Sequence, residues 1–246
     1  MIRAFLATIQ FMTILPVLVK WTGQLTEKQQ GQMVLFYPVA GFIIGAMLFA
    51  TSYWLPPQGL LSAAIITVLW IALTGALHLD GLADSADAWL GGLGSKQRTL
   101  EIMKDPRAGS MAIVAVCCVI LLKFTAIHEL LVSHQSVYLI LIPVLARMNV
   151  MLLFITTAYA RADGIGAVAA SNTSKIGVAV MLMLITLFSY YYLQVAALYA
   201  IAASVLVLLL VRHLMLRRLQ GTTGDTAGAL IEISEVVTVV IILSLK

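Results

Sequence analysis

LLSAAIITVLWIALTGALHLDGLADSADAWLGG, Leu60 to Gly92, holds no Asp, Glu, Lys or Arg until Asp80, and then Asp84 and Asp87 follow at once. Its first part has the length of apolar chain, roughly 18 to 20 residues, that crosses a hydrocarbon layer of about 30 Å. The aspartates stand at i, i+4 and i+7, so on a continuing helix all three carboxylates project from one face. Taken as straight helix, Gly59 to Asp80 covers about 31 Å at 1.5 Å per residue. That puts Asp80 at the edge of the hydrocarbon, where a carboxylate avoids the roughly 2.5–3.5 kcal/mol cost of the bilayer centre.

The rest of the chain repeats the apolar theme. Of 246 residues 61% are hydrophobic and 11% charged, and the mean hydropathy is +1.02, far above the needs of a soluble core. Apolar runs predict spans at about 33–55, 59–79, 111–132, 137–159, 176–193, 195–212 and 228–245. Residues 3–19 form either an eighth span or a helix in the interface. The expected fold is all-α: a polytopic integral membrane helical bundle of about seven transmembrane helices plus a short N-terminal helix, in one domain over residues 1–246. The N-terminus lacks a small-residue cleavage site and reads as part of the mature protein. Gly41 and Gly45 in GFIIG have the spacing that lets two helices approach. Cys117 and Cys118, adjacent in an apolar run, suit packing rather than zinc or a disulfide.

Basic residues orient the spans, because short cytoplasmic loops collect Lys and Arg. Lys20 and Lys28, then Lys96, Arg98, Lys104 and Arg107, then Arg161 and Lys175, then Arg212, Arg217 and Arg218 all fall on one side. The turns at 56–58, 133–136 and 191–194 carry none and read as the outer face. The fifteen basic residues form no concentrated stripe, which argues against a nucleic-acid partner.

Converging carboxylates repel, and a divalent cation with oxygen ligands, Mg²⁺ where a phosphate is also bound, is the ordinary remedy. A second acidic segment, GTTGDTAGALIEISE from Gly221 to Glu235, opens the last helix on the same side. Asp225, Glu232 and Glu235 fall at i, i+7 and i+10, near one face, and Gly224 permits close backbone approach at a helix start suited to phosphate. In KDPRAGS, Pro106 marks a loop in which Lys104 and Arg107 reach anionic oxygens and Asp105 adds a metal ligand or orients a base. His78 is a candidate base. Lys123 is expected to pair with Glu129 or the interface, and the intramembrane Arg147 to face protein. Acids for metal and bases for phosphate on one side suggest phosphoryl-group chemistry.

HLDGLADSADAW, IMKDPRAG, GTTGDTAGALIEISE, IQFMTILPV and YPVAGFIIG together resemble the cobalamin synthase family, over Gln10 to Glu235. The resemblance implies a membrane enzyme of the bacterial inner membrane with its active site on the cytoplasmic side. Such an enzyme joins adenosylcobinamide-GDP to α-ribazole or its 5′-phosphate, releases GMP and uses Mg²⁺. Its partners would be those small molecules and the lipid bilayer, with room for a homo-oligomer or association with other cobalamin-pathway enzymes. Asp80, Asp84 and Asp87 would hold Mg²⁺ on the pyrophosphate, Asp225 with Glu232 would complete a metal or substrate site, and Lys104 and Arg107 would grip phosphate. One of the acids, Asp84 or Asp80 foremost, or His78 would take the hydroxyl proton. The pattern departs from relatives at Ala76, where glycine is common, and at Pro106, where serine is frequent.

Two other classes compete. CDP-alcohol phosphotransferases resemble this stretch at the Asp80-Gly81 step, but their longer D-x-x-D-G-x-x-A-R motif is departed from at Leu77 and at Asp84. A cation transporter would carry its acids near mid-helix, whereas Asp80, Asp84, Asp87, Asp105, Asp225, Glu232 and Glu235 are expected at cytoplasmic ends or loops.

Overall fold

The computed structural model describes residues 1–18, 24–161 and 165–244, and Lys20 lies outside them. The described residues form helices α1 (Ile2–Met12), α2 (Glu27–Leu35), α3 (Tyr37–Ser52), α4 (Leu60–Leu73), α5 (Leu77–Gly91) and α6 (Lys96–Ile102), then α7 (Ser110–Val132), α8 (Tyr138–Thr156), α9 (Ile165–Ser171), α10 (Lys175–Leu193), α11 (Val195–Leu219) and α12 (Gly224–Ser244). Among them only Tyr159 and Thr222 make a β-type bridge, as expected where lipid leaves an open sheet edge unsatisfied. Helices α7, α8, α10, α11 and α12 are each long and apolar enough to cross a membrane. The pairs α2–α3, bent by 44°, and α4–α5, bent by 85°, raise the count to as many as seven. The chain is a multi-pass helical membrane protein.

Local chemistry sets the element ends. Thr26 and Gln29 form a reciprocal capping box that starts α2, satisfying two of the donors a helix start leaves orphaned. Helix α1 has 11 residues, about 16 Å at the helical rise and too short to cross. The main departure from expectation lies within 59–79, which is not one straight helix. Gly75 and Ala76 both take left-handed backbone angles, φ 58° and 57°, so α4 stops and α5 leaves it at 85°. The aspartates therefore begin a new helix instead of finishing an old one.

Helix α8 is the axis of the bundle, with every residue from Leu141 to Met151 buried. Helix α3 packs on it through its two glycines. A Cβ at Gly41 would stand 2.4 Å from the Pro143 carbonyl oxygen, and one at Gly45 would stand 2.6 Å from that of Leu139. The small-residue spacing is a helix contact, as read. Cys117 and Cys118 are exposed on α7, facing outward into the space that lipid fills, so the expected packing role is not theirs. Asn149 of α8 donates to the Ser204 carbonyl at 2.8 Å and to the Ser234 hydroxyl at 2.9 Å. That buried amide ties α8 to α11 and α12.

Candidate active site

Helix α5 runs antiparallel to α12 at very close range. A Cβ on Gly81 would lie 2.8 Å from the Asp225 carbonyl oxygen, and one on Gly228 would lie 3.3 Å from that of His78. Two glycines let the backbones meet and set Asp80 beside the start of α12. Four residues beyond Asp80, past the 85° break that turns α5 away from α4 and past the start of α12, stands Asp84. Past it, Asp87 accepts the Gly109 N–H at 2.5 Å and the Ala112 N–H at 3.0 Å. It thereby caps α7, whose own N-cap residue, Gly109, has no side chain to do so. Arg218, in the last turn of α11, donates to the Trp89 and Gly92 carbonyls at 3.0 and 2.6 Å, satisfying the C-terminal end of α5. The acid-bearing helix is held at both ends and along one side.

Asp80 is exposed, and Asp84 and Asp225 are partly so. Burial first, and then repulsion from Asp80, Asp225 and Asp87, push the Asp84 carboxyl up to about 6, while Arg161 acts the other way. Among the described residues the cation paired with this group is Arg161, 3.5 Å from the Asp225 carboxylate. Its place follows from the bridge that joins the segment after α8 to the segment before α12: Ala160 N–H donates to the Thr222 carbonyl at 2.7 Å, and Thr222 N–H to that of Ala158 at 2.9 Å. Thr223 caps α12 by accepting the Thr226 N–H at 3.2 Å, and its hydroxyl reaches Asp225 at 3.4 Å. Gly224, the first residue of α12, is exposed beside Asp225.

Among the described residues no three histidine, cysteine or acidic side chains close into a preformed metal cage. Asp80, Asp84 and Asp225 instead present an all-oxygen set, in which Asp80 and Asp225 act against the charge of Asp84. That donor chemistry fits a hard divalent cation, which takes one or two carboxylates and fills its remaining positions with water and phosphate oxygens. Asp87 belongs to the group electrostatically, although both its oxygens already serve the start of α7.

The loop bases divide. Arg107 forms a two-point pair with Asp105 at 2.9 and 2.8 Å, which holds the Asp105 carboxyl down to about 2. Both point toward each other, so neither is aimed at the aspartates. Lys104, in contrast, lines a cleft of about 430 Å³ with Lys96, Gln97, Leu100, Glu101 and Arg161.

Three expectations are corrected deeper in the bundle. Glu232 and Glu235 are 2% and 1% exposed. Lys123 of α7 bonds both, at 2.6 and 2.5 Å, and Arg147 of α8 bonds Glu235. They share a helical face with Asp225, but Glu235 lies about 15 Å farther along α12 at 1.5 Å per residue. Depth, not angle, removes them from the aspartate group. Lys123 accordingly finds these acids and not Glu129, and its ammonium also sits 4.7 Å over the Trp70 ring of α4. His78 is 3% exposed, with Nδ1 3.2 Å from Arg147 Nη2. A guanidinium only donates, so Nδ1 accepts and a neutral ring carries its proton on Nε2. Positions i and i+2 on a helix face apart, so His78 turns into the bundle while Asp80 turns out, and the base role leaves it. Two cations and two carboxylates balance, the usual condition for charge inside a bundle. The seven acids thus do not all lie at helix ends, but the two internal ones are committed to partners.

Arg161, Lys96 and Thr223 are the site-forming groups that the sequence reading passed over. Arg161 had no local signal beyond its loop, since what places it is a bridge to Thr222, far along the chain.

Comparison with known proteins supplies what geometry does not. The model of the cobalamin-5-phosphate synthase family matches residues 4–243. The chain is 46% identical to an adenosylcobinamide-GDP ribazoletransferase of Stutzerimonas stutzeri, over 94% of this chain and 93% of that one. It is 44% identical to one of Acinetobacter baumannii, over 96% and 94% of the two chains, and 45% identical to one of Pseudomonas aeruginosa, over 95% of each. No solved structure matches.

Proposed function

Because the chain belongs to the cobalamin-5-phosphate synthase family, we propose that it is a membrane-bound adenosylcobinamide-GDP ribazoletransferase that works with Mg²⁺ at the aspartate face of α5. The observation that carries the reading is the meeting of Asp80 and Asp84 with Asp225 where Gly81 lets α5 touch α12. These are the segments a phosphoryl-transfer site needs together: acids to seat a metal and a helix start to face phosphate.

In the proposed reaction a ribose hydroxyl of the ribazole acceptor attacks the phosphorus bonded to cobinamide. One P–O bond forms in line, the P–O bond to the bridging oxygen breaks, and GMP leaves with that oxygen. Asp80, Asp84 and Asp225 would hold Mg²⁺, which when bound neutralises charge on the pyrophosphate and its leaving group. Asp87 holds the start of α7 against α5 and so fixes the spacing of the aspartates. One of the acids on this face would receive the hydroxyl proton. Arg161 neutralises Asp225, and Gly224 leaves the start of α12 open to a phosphate. The positive-inside pattern supports a reading in which this face opens to the cytoplasm across the inner membrane.

The test is direct. Protein purified into lipid is incubated with adenosylcobinamide-GDP, α-ribazole or its 5′-phosphate, and Mg²⁺, and GMP and a cobamide are the expected products. Release of CMP from a CDP-alcohol and a second alcohol, with no GMP from the corrinoid donor, overturns the reading in favour of lipid-headgroup chemistry.

A further inference from the structure

Helix α5 leaves α4 at a left-handed joint, so the covalent connection does not fix how α5 lies on α12. The contact at Gly81 and Gly228 brings the two backbones together, but packing of that kind is non-directional and lets a helix slide or roll. Among the described residues, one side-chain hydrogen bond ties the first two turns of α5 to the rest of the bundle, that of His78 Nδ1 with Arg147 Nη2 at 3.2 Å. The other ring nitrogen, Nε2, is buried without a partner among the described residues, so the ring carries a desolvation cost and its polar contact is with Arg147. Arg147 uses its second terminal nitrogen, Nη1, on Glu235 of α12. One planar guanidinium on the buried axis helix α8 thus holds α5 and α12 at a fixed spacing. Glu235 is itself held by Lys123 of α7 at 2.5 Å, which also bonds Glu232.

We propose that Arg147 and His78 are positioning residues for the metal seat: the guanidinium fork sets the rotation and depth of α5 against α12, and so brings Asp80 and Asp84 to the cation that Asp225 shares. This deepens the ribazoletransferase reading and rests on its Mg²⁺ seat. The aspartates ride on the same two helices as the fork's partners. Asp80 stands two residues after His78 on α5, and Asp225 stands before Glu235 on α12, about 15 Å away along the axis at 1.5 Å per residue. A roll of α5 at His78 therefore turns Asp80 and Asp84 with it, away from a partner that α12 keeps in place. Lys123 and Arg147 already balance Glu232 and Glu235, so a network that served only to neutralise buried charge would not include His78. What the histidine adds is a directed bond between the helix that carries two of the carboxylates and the axis of the bundle.

The experiment titrates Mn²⁺, standing in for Mg²⁺ as a paramagnetic probe, into protein purified into lipid and reads the bound ion by EPR without substrate. His78→Leu removes the acceptor, and Arg147→Lys keeps the charge but loses the fork. Both are expected to raise the Mn²⁺ Kd about ten- to hundredfold, the usual cost of losing a group that orients a metal ligand. His78→Asn, whose amide oxygen can stand where Nδ1 does, is expected to recover most of the affinity. Asn149→Leu is the control for a merely structural role, because Asn149 ties α8 to α11 and α12 and leaves α5 alone. It should lower the melting temperature with the Kd unchanged. Where His78→Leu does not fold, Arg147→Lys decides. An unchanged Kd in folded His78→Leu or Arg147→Lys, or an Asn149→Leu variant that binds Mn²⁺ as weakly as they do, overturns the proposal. Wild-type protein that binds no Mn²⁺ removes the metal seat and the proposal together. Failure of the ribazoletransferase reading looks different: Mn²⁺ binds with the expected order of affinities, but no GMP is released from the corrinoid donor.

Discussion

Asp84 is the residue on which burial and three neighbouring carboxylates act together, and its carboxyl is pushed up to about 6. An acid whose value rises on folding binds more protons in the native state, so its charge weakens the fold as pH climbs from about 4 to about 6. Above that the full penalty is present, and a cation bound by the aspartates relieves it. Mg²⁺ is therefore expected to raise the melting temperature at pH 7.5 and to lose most of that effect at pH 5, where protons occupy Asp84; thermal scans in detergent at both values check this. Asp84→Asn should keep the protein folded, blunt the Mg²⁺ response and lower kcat by roughly 10²–10³-fold, the cost of losing one directed electrostatic group. Near-normal turnover in that variant removes Asp84 from the metal and the proton. The triplet itself was legible from spacing alone. The capping duty of Asp87 was not, because its partner Gly109 returns through a loop whose path no local pattern specifies.

The break between α4 and α5 decides where the aspartates stand. Nothing in TGAL announces it, since the run carries no proline and no charge, and an apolar stretch of that length reads as one span. What stops the helix is left-handed backbone at two successive residues, one of them Ala76. A non-glycine residue there costs about 1–2 kcal/mol, and glycine's greater freedom in the unfolded chain takes back about 0.5–1 kcal/mol. Ala76→Gly should thus stabilise the protein by up to about 1 kcal/mol. Gly75→Ala should destabilise it by about 1 kcal/mol, because its φ is 58° and the new Cβ would stand 2.9 Å from Ile14. Thermal melts of the two variants should move in opposite directions. The same element logic applies to the buried charges, where helical periodicity correctly grouped Glu232 and Glu235 on one face. It could not supply their partners, which come from α7 and α8. Removing Lys123 leaves a buried carboxylate unbalanced, at a cost of about 3–5 kcal/mol. Lys123→Met should fail to survive purification at temperatures the wild type tolerates, and adding Glu232→Gln, which restores neutrality around the remaining Arg147–Glu235 pair, should recover most of the loss. A double variant no better than the single would mean that the network is not balanced by charge.

Across the whole molecule, the long apolar runs were legible because lipid demands such helices: five of the expected runs each hold a helix long and apolar enough to cross a membrane, and the other two fall on the bent pairs α2–α3 and α4–α5. The residue chemistry then fixes which end is which. The C-terminal end of α5, the starts of α7 and α12 and the ends of α8 and α11 gather at one end of the bundle, bound together by Asp87, Arg218 and the Ala160–Thr222 bridge. That end also carries Lys96, Arg98, Lys104, Arg107, Arg161, Arg217 and Arg218, whereas the turn between α3 and α4 carries neither Lys nor Arg. Basic loops resist translocation, so the aspartate face should open to the cytoplasm, where nucleotide-activated substrates are made. Exposed Gln97 on α6 and exposed Gln58 between α3 and α4 report on the two sides. With Cys117 and Cys118 changed to serine, a single cysteine at Gln58 should react with a membrane-impermeant maleimide in right-side-out vesicles. A cysteine at Gln97 should react only after the vesicles are inverted or opened. The reverse pattern would put the carboxylates on the outer face, away from any pool of GDP-activated donor, and would remove the proposed reaction on grounds of supply even with every side chain in place.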